Sequence, residues 1–415
     1  MRKSRLPEAG ENLFQKIKKV SAEAEAKGKK LIKLSIGQPS GPAIGAARMA
    51  ASRAVMSEAE SMHGYQDNGS PGVPDFARRF VQKHVRLDLK GVSADDIAFL
   101  PIPGIKPMLP LIPIACGAGR FEDYVRVATT TNPGYPTPAD WCGYLNELVG
   151  HHAIRLHPGN KFRFSPEDID YKVGDIGIAD FKANLVMMNY PHNPSGQVAT
   201  FDWLVGLCRY CSDHGIRIFN DAAYAILAYN PNHKTLTDIA MGFPELSWAE
   251  AFSASKAGNF TGWRIGAIAG SPDFVGDIAR IKGNTDSGFA APLAAGIIDL
   301  FENNPEAIKR VSDVYRLRLG MLIPLLSSFG MRLACTPGAG FFTLWLTPKR
   351  AFGQDVKNAE HFNTLMIENA GVVGVHFDPK DGEGDSYIRY SVAQVEVIES
   401  ADELEAAFTS ANVSY

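Results

Sequence analysis

Cysteine is scarce in this chain: five in 415 residues, an odd number with no regular spacing. That excludes a disulfide framework as the source of its stability. Cys208 and Cys211 do form a C-x-x-C, but inside the helical-looking "FDWLVGLCRYCSDHG". No second pair follows at zinc-ligand spacing, so packing thiols and no metal site are expected. Basic charge is not in excess either, and a formal net charge of −3 argues against a general nucleic-acid binder. Long apolar runs are missing too. The most apolar stretch, "MLPLIPIACGAG" from Met108, is too short and too interrupted by proline to span a bilayer. No apolar segment follows the basic opening "MRKSRLPEAGENLFQKIKKV", which argues against a secretory leader. A reduced cytoplasm is the location these absences favour.

What remains is a chain of enzyme size, 45% hydrophobic and long enough for a large core. "GENLFQKIKKVSAEAEAKGKK" reads as an amphipathic helix ended by glycine, with the short strand "LIKLSIG" after it. "PDFARRFVQKHV", "TFDWLVGLCRYCSDHG" and "SPDFVGDIARIKG" read as further helices. "YVRVATTTNPGYP", "LVMMNYPHNPSG", "IRIFNDAAY" and "FSASK" read as strands ending in turns. Strands alternating with helices predict an α/β fold with a mostly parallel sheet covered on both faces. In such sheets ligands sit beyond the carboxyl ends of the strands, where the unusual residues of this chain fall. From about Asn304 the character changes: a long helix, then "RLACTPGAGFFTLWLTP" and "SYIRYSVA", predict a smaller α+β unit. No internal repeat or low-complexity segment is visible.

The chemistry concentrates in four stretches. "FSASKAGNFTGWRIGAIAG" places Ser253 and Ser255 just before Lys256, with Arg264 shortly after. "FNDAAYAILAY" carries Asp221 and Tyr224, "NYPHNPSG" carries Asn193, and "YIRYS" carries Arg389. Singly each has a plain explanation as a loop lysine, a strand-end aspartate, a turn asparagine or a paired arginine. Together they meet the needs of pyridoxal phosphate (PLP). Its aldehyde needs a primary amine, which Lys256 offers. Its ring nitrogen needs a carboxylate to keep it protonated, which Asp221 offers. Its phenolic oxygen needs donors, for which Tyr224 and Asn193 serve. Its phosphate needs a guanidinium and hydroxyls, which Arg264, Ser253 and Ser255 provide.

These spaced motifs, S-x-S-K-x5-G-x-R, D-x-x-Y, N-P-[ST]-G and a late R-x-[FY]-S, resemble those of the class I/II aminotransferases of PLP fold type I, over nearly the whole chain. The resemblance implies a large domain with a mostly parallel sheet of the seven-stranded type at 51–303, and a small C-terminal domain at 304–415. Residues 1–50 would be an N-terminal arm and part of the small domain. It implies that Tyr135 stacks on the cofactor ring, and that the "PGIK" turn, with Gly104, Ile105 and Lys106, turns backbone N–H groups to the phosphate. It implies that Tyr65 reaches the phosphate of a partner subunit in a homodimer, that Gly37 lies against the substrate, and that Arg389 and Asn193 contact it, Arg389 through the α-carboxylate.

Departures from the pattern carry expectations of their own. Pro107 has no N–H to give the phosphate, Lys106 can compensate with charge, and Pro113 is expected to kink or end the following helix. His376 and Phe377 are candidates for the substrate pocket, with His376 read as a loop residue without chemistry. The implied activity is amino-group transfer from an amino acid to a 2-oxo acid. Aspartate, LL-diaminopimelate and aromatic or other amino acids are the candidate donors, the "LSIG" strand and the lysine of "PGIKP" pulling towards diaminopimelate aminotransferases. A PLP-dependent C–S β-lyase would use nearly the same residues. A PLP-binding regulatory domain is remote, because no helix-turn-helix pair precedes "LSIG".

Overall fold

The computed structural model describes residues 13–120, 124–170, 182–380 and 382–415. The first twelve residues of the expected N-terminal arm lie outside this set. In chain order the strands are β1 (Ile32–Lys33), β2 (Ala98–Ile102), β3 (Val125–Asn132), β4 (Val149–Arg155), β5 (Leu185–Met188), β6 (Arg217–Asp221), β7 (Trp248–Ser253), β8 (Gly266–Gly270), β9 (Phe342–Leu346), β10 (Arg350–Ala351), β11 (Gln354–Asp355), β12 (Val372–Val373), β13 (Val375–Phe377) and β14 (Tyr387–Ser391).

β2 to β8 form one seven-stranded sheet in the order β2-β8-β7-β6-β5-β3-β4. The neighbours from β4 through β7 are parallel, and only β8 runs against both of its partners. The expected mostly parallel sheet is therefore present. Successive residues of a strand point to opposite faces, and here both faces are buried, so the central strands carry apolar residues on both sides. Val186, Ile218, Trp248 and Phe252 pack on one face, with Leu204, Leu207 and Cys208 of the helix Phe201–His214. Leu185, Phe219, Ala249 and Ala251 pack on the other, with Phe274 and Ile278 of the helix Pro272–Lys282. Cys208 and Cys211 are fully buried and unpaired on that first helix, as packing thiols should be.

The C-terminal stretch forms a three-stranded antiparallel sheet, β13-β14-β9, under the helices Pro305–Ser328 and Ala401–Ala411. The N-terminal helix Leu13–Ala26 packs Ile17 and Ala24 against Ile367, Val373 and Val375 of that unit, and β1 pairs with β12 in parallel. Pro113 lies inside a helix of five residues, Leu111–Ala115, which ends two residues later. Among the described residues no helix is long and apolar enough to cross a membrane.

Candidate active site

The carboxyl ends of the central parallel strands point at one place. β6 ends in Asp221, and β7 ends in Ser253 and runs through a single 3-10 turn, Ala254–Lys256, into the loop that carries Arg264. The turn forms because the Ser253 hydroxyl accepts the Ser255 N–H at 3.1 Å; the same Ser253 hydroxyl donates to Ser255 Oγ at 3.0 Å. One end of β7 thus presents two buried hydroxyls and the lysine.

Lys256 Nζ donates to the carbonyl of Gly37 at 2.7 Å, which ties the strand-end lysine to the segment after β1. It lies over the rings of Tyr224 and Phe341, 6.0 and 5.9 Å from their centroids. Burial, helped by the Arg389 and Arg264 charges and opposed by Asp221, lowers the amine from the ordinary lysine value to about 8. Burial likewise raises Asp221 to about 6, although the Ala223 N–H at 3.1 Å and the Lys256 charge favour its carboxylate. The pair is therefore poised with both groups near neutrality, as expected where a site tunes its acids and bases.

Tyr135 and Asp221 line one narrow cavity, with Thr130, Met188 and Asn189 as further walls. Its hydroxyl feels both Asp221 and Arg264, while burial raises its pKa. Tyr224 is buried with Phe341 and Phe342 packed edge-on against its ring. Arg264 is exposed, and its Nη1 donates to Thr261 O at 3.0 Å. Its guanidinium lies directly over Gly104: a Cβ there would stand 2.5 Å from Nη2, and the φ of +82° disfavours any side chain as well. Only glycine allows the "PGIK" turn and this arginine to come so close. Ile105 is buried beside them, whereas Lys106 is exposed.

Arg389 is the opposite kind of arginine, 2% exposed in the middle of β14. Its Nη1 donates to Asn193 Oδ1 at 2.9 Å and its Nη2 to Ser35 O at 2.8 Å, while Nε is buried with no partner. Gly37 lies against it, 3.8 Å from Nη2 to where a Cβ would be. Asn193 is itself held by its N–H, which Asn189 Oδ1 accepts at 2.9 Å.

Contacts and mutual charge effects link Gly37, Asn193, Tyr224, Lys256 and Arg389 to one another, Asp221 to Lys256 and Tyr135, and Arg264 to Gly104 and Lys256, with Ser253 and Ser255 on the turn that carries Lys256. Tyr65 stands apart, 80% exposed. His376 is a strand residue of β13, not a loop residue. It pairs with Ile388, so alternation turns it to the face opposite Arg389, where Asn363 Nδ2 lies 3.5 Å from its Nδ1. Phe377, opposite Tyr387, keeps the Arg389 face.

Sequence reasoning passed over Asn189 and the Glu250–Asn220 pair. Asn189 Nδ2 donates to the carbonyl of Asp221 at 2.7 Å, so one side chain steadies both Asn193 and the Asp221 strand end. Glu250, fully buried, accepts from Asn220 Nδ2 and from Leu236, Thr237 N–H and Thr237 O–H. For Asn220 and Glu250 the available signal is a polar residue inside a strand, and for Asn189 a polar residue directly after the apolar run of β5.

A seven-stranded sheet with this strand order, and a lysine, an aspartate and two arginines beyond its carboxyl ends, define a fold-type I aminotransferase architecture. Residues 29–401 match the family model "Aminotransferase class I and II", and the chain belongs to that family. It is 27% identical over 383 residues to an LL-diaminopimelate aminotransferase of Dehalococcoides mccartyi, covering 92% of this chain and 91% of the relative. An LL-diaminopimelate aminotransferase of Methanocaldococcus jannaschii is 29% identical over 374 residues, 88% of this chain and 82% of the relative. In fold, it resembles the crystal structure of the aspartate aminotransferase from Rhizobium meliloti with a TM-score of 0.81, at 21% identity and over 100% of each chain.

Proposed function

We propose that this chain transfers the α-amino group of an amino acid to a 2-oxo acid, with pyridoxal phosphate as its resident cofactor. The observation that carries the reading is the amine of Lys256 just past the end of a central strand, bonded to the Gly37 carbonyl at 2.7 Å, over the Tyr224 ring and within the charge influence of Asp221, Arg264 and Arg389. When bound, the cofactor supplies an aldehyde carbon that takes up the amino group and a ring that withdraws electrons.

The donor set fits that group. Asp221 would hold a proton on the ring nitrogen, and Tyr135, which lines the same narrow cavity, would cover the ring face. Ser253, Ser255, Arg264 and the amides of Gly104, Ile105 and Lys106 are our assignment for the phosphate, supported by an Arg264 guanidinium so close over Gly104 that a Cβ there would meet it. Pro107, at the start of the next turn, gives no N–H there. Tyr224 and Asn193 are placed for a phenolic oxygen. The buried, unpartnered Nε of Arg389 marks a guanidinium that still has a donor for the substrate's α-carboxylate, with Gly37 beneath it. Lys256 Nζ takes a proton from the substrate Cα and returns it, acting as base and then acid. Phe341 and Phe342 exclude water beside it.

The same reading makes the protein a homodimer, which would bring the exposed Tyr65 to the phosphate of a partner, and a cytoplasmic one, which suits five free cysteines. It divides the chain into a large unit at 51–303 and a small one at 304–415. The pairing of β1 with β12 supports joining residues 1–50 in part to the latter. The names of the relatives favour LL-diaminopimelate as donor; aspartate and aromatic amino acids are the alternatives. The test is to incubate the protein and PLP with single amino acids and a 2-oxo acid and to follow the new amino acid. Stoichiometric formation supports the reading. Pyruvate, ammonia and homocysteine from cystathionine, with no amino acid formed from the 2-oxo acid, would replace it by a C–S β-lyase.

A further inference from the structure

A second cavity, of about 420 Å³, lies beside the catalytic pocket. Asn132, Arg155, His157, Glu383, Asp385 and Tyr387 contribute to its wall. Arg155 is the last residue of the edge strand β4, paired with Asn132 at the end of β3, so it stands beyond the carboxyl edge of the sheet like the catalytic groups. The opposite wall is the segment that enters β14.

Three features bring this cavity's wall close to the pocket. Asn132 and Pro133 line it and run directly into Gly134 and Tyr135. Tyr387 lines it too, and shares a face of β14 with Arg389 two residues on, a span of ~7 Å. Phe162 bridges the same gap, edge-on to Tyr387 at 5.6 Å and stacked on His192 beside Asn193. The cavity wall thus begins one two-residue strand repeat from Arg389, with the buried Phe162 between the two spaces, and the far end of a substrate held at Arg389 would reach it past that ring.

The lining carries both charges. Arg155 Nη1 lies 3.7 Å from Glu383 Oε2, an ion pair too long to use a guanidinium hydrogen bond, and the two side chains are 45% and 80% exposed. Gly384 has a φ of +94°, and a Cβ there would overlap the Arg155 guanidinium, so the arginine lies close against the backbone of this segment. Burial raises the pKa of the Tyr387 hydroxyl, Asp385 adds to the rise and Arg155 opposes it, which places both charges within reach of that ring. A guanidinium has donors to spare for a second carboxylate, and two carboxylates beside it suit an ammonium.

We infer that this cavity is a distal subsite within a single chain, in which Arg155 takes the carboxylate and Glu383 and Asp385 take the ammonium of a donor whose far end is itself a zwitterionic amino acid. The inference rests on the aminotransfer reading above. It makes Arg155, Glu383 and Asp385 residues of specificity rather than chemistry.

Three donors separate the terms: LL-diaminopimelate carries both far-end charges, L-2-aminopimelate only the carboxylate, and L-norleucine neither. The holoenzyme and its Arg155→Gln and Glu383→Gln/Asp385→Asn variants are assayed with each, and the Kd of pimelate, which cannot donate an amino group, is measured by calorimetry. In Arg155→Gln the kcat/KM ratio of diaminopimelate to norleucine falls about ten- to a hundredfold, and pimelate binding weakens by a similar factor. In the acidic double variant the ratio of diaminopimelate to aminopimelate falls instead. Ratios that stay at the wild-type value, or losses equal for all three donors, overturn the subsite while leaving aminotransfer standing. Should the wild type transaminate no donor, weaker pimelate binding in Arg155→Gln would still support the subsite, and unchanged binding would overturn it.

Discussion

The two arginines that flank Lys256 live in opposite surroundings. Arg264 follows a short turn at the end of β7, is exposed, and spends one hydrogen bond on Thr261. Arg389 is embedded in β14, bonds Asn193 and Ser35, and has a buried Nε with no partner. An exposed guanidinium is still hydrated, so it costs little to keep and attracts an anion through charge. A buried one has lost its water, and burial lowers its pKa, so it favours an anion that restores the missing bond. The first region suits a group that stays, gripped by many modest contacts. The second suits a group that comes and goes, read by geometry. Lys256 feels both charges.

Because it stands between the two regions, Lys256 gives the largest expected effect. Lys256→Ala should lower turnover by ~10⁴-fold or more, since it removes both nucleophile and base, yet leave PLP bound through its phosphate. Borohydride reduction and peptide mapping of the wild type should place the label on Lys256; a label on any other lysine would sink the assignment. The lowered pKa gives a second check. Burial and the two guanidiniums disfavour the ammonium, so in the cofactor-free chain the amine becomes neutral as pH rises through about 8. Reductive methylation of Lys256, read by mass spectrometry, should rise through that pH and ahead of the exposed lysines.

Asp221→Asn comes next, with kcat lower by roughly 10²- to 10³-fold for a missing electrostatic partner. Its stability should move the other way. The carboxyl of Asp221 is raised from 3.8 to about 6 in the folded chain. Its favourable contribution is thus complete below the unfolded pKa and lost as pH rises through 6. At pH 8 the cofactor-free Asp221→Asn chain should be more stable, by up to about 3 kcal/mol, and at pH 3.5 the gain should vanish. Melting curves at the two pH values decide it; a variant less stable at pH 8 would show that Asp221 serves the fold.

Much of this is legible in the sequence because β6 and β7 each end in a residue that matters. "IRIFND" and "WAEAFS" are apolar runs broken by a polar terminus, and the break is the site. β2, β4 and β8 were passed over for physical reasons. "AFLPI" contains a proline, "VGHHAIR" carries two histidines, and "GAIAG" is built of small residues with little strand preference. The face of His376 depends on antiparallel register with β14, which no local pattern reveals. The cavity around Arg155 joins residues more than 200 positions apart, with no motif of its own.

The Arg389 region should then break by geometry. Arg389→Lys keeps a charge and loses the fork, so kcat/KM for amino acids should fall ten- to a hundredfold, about 1.5–3 kcal/mol, with PLP content normal. Loss of cofactor with amino-acid affinity intact would mean that the two arginines have exchanged roles.

The smallest effect belongs to the exposed region and to a residue the single chain leaves outside the site. Tyr65 is 80% exposed, as are Met49, Val55 and Met56 to lesser or similar degree on the neighbouring helix Gly45–Val55 and its end. Such a cluster of apolar side chains suits a surface that a second copy covers. In that dimer the Tyr65 hydroxyl would give one more hydrogen bond to a phosphate already held by serines, backbone amides and Arg264. Since water can replace it, Tyr65→Phe should raise the Kd of PLP only about threefold to tenfold, roughly 0.5–1.5 kcal/mol, and leave the amino-acid KM alone. Equilibrium dialysis against PLP and sedimentation belong in the same series, because the effect requires the dimer. If the protein sediments as an active monomer, or if Tyr65→Phe changes donor affinity and not PLP affinity, Tyr65 has no place at the phosphate, and the exposed arginine region is complete within one chain.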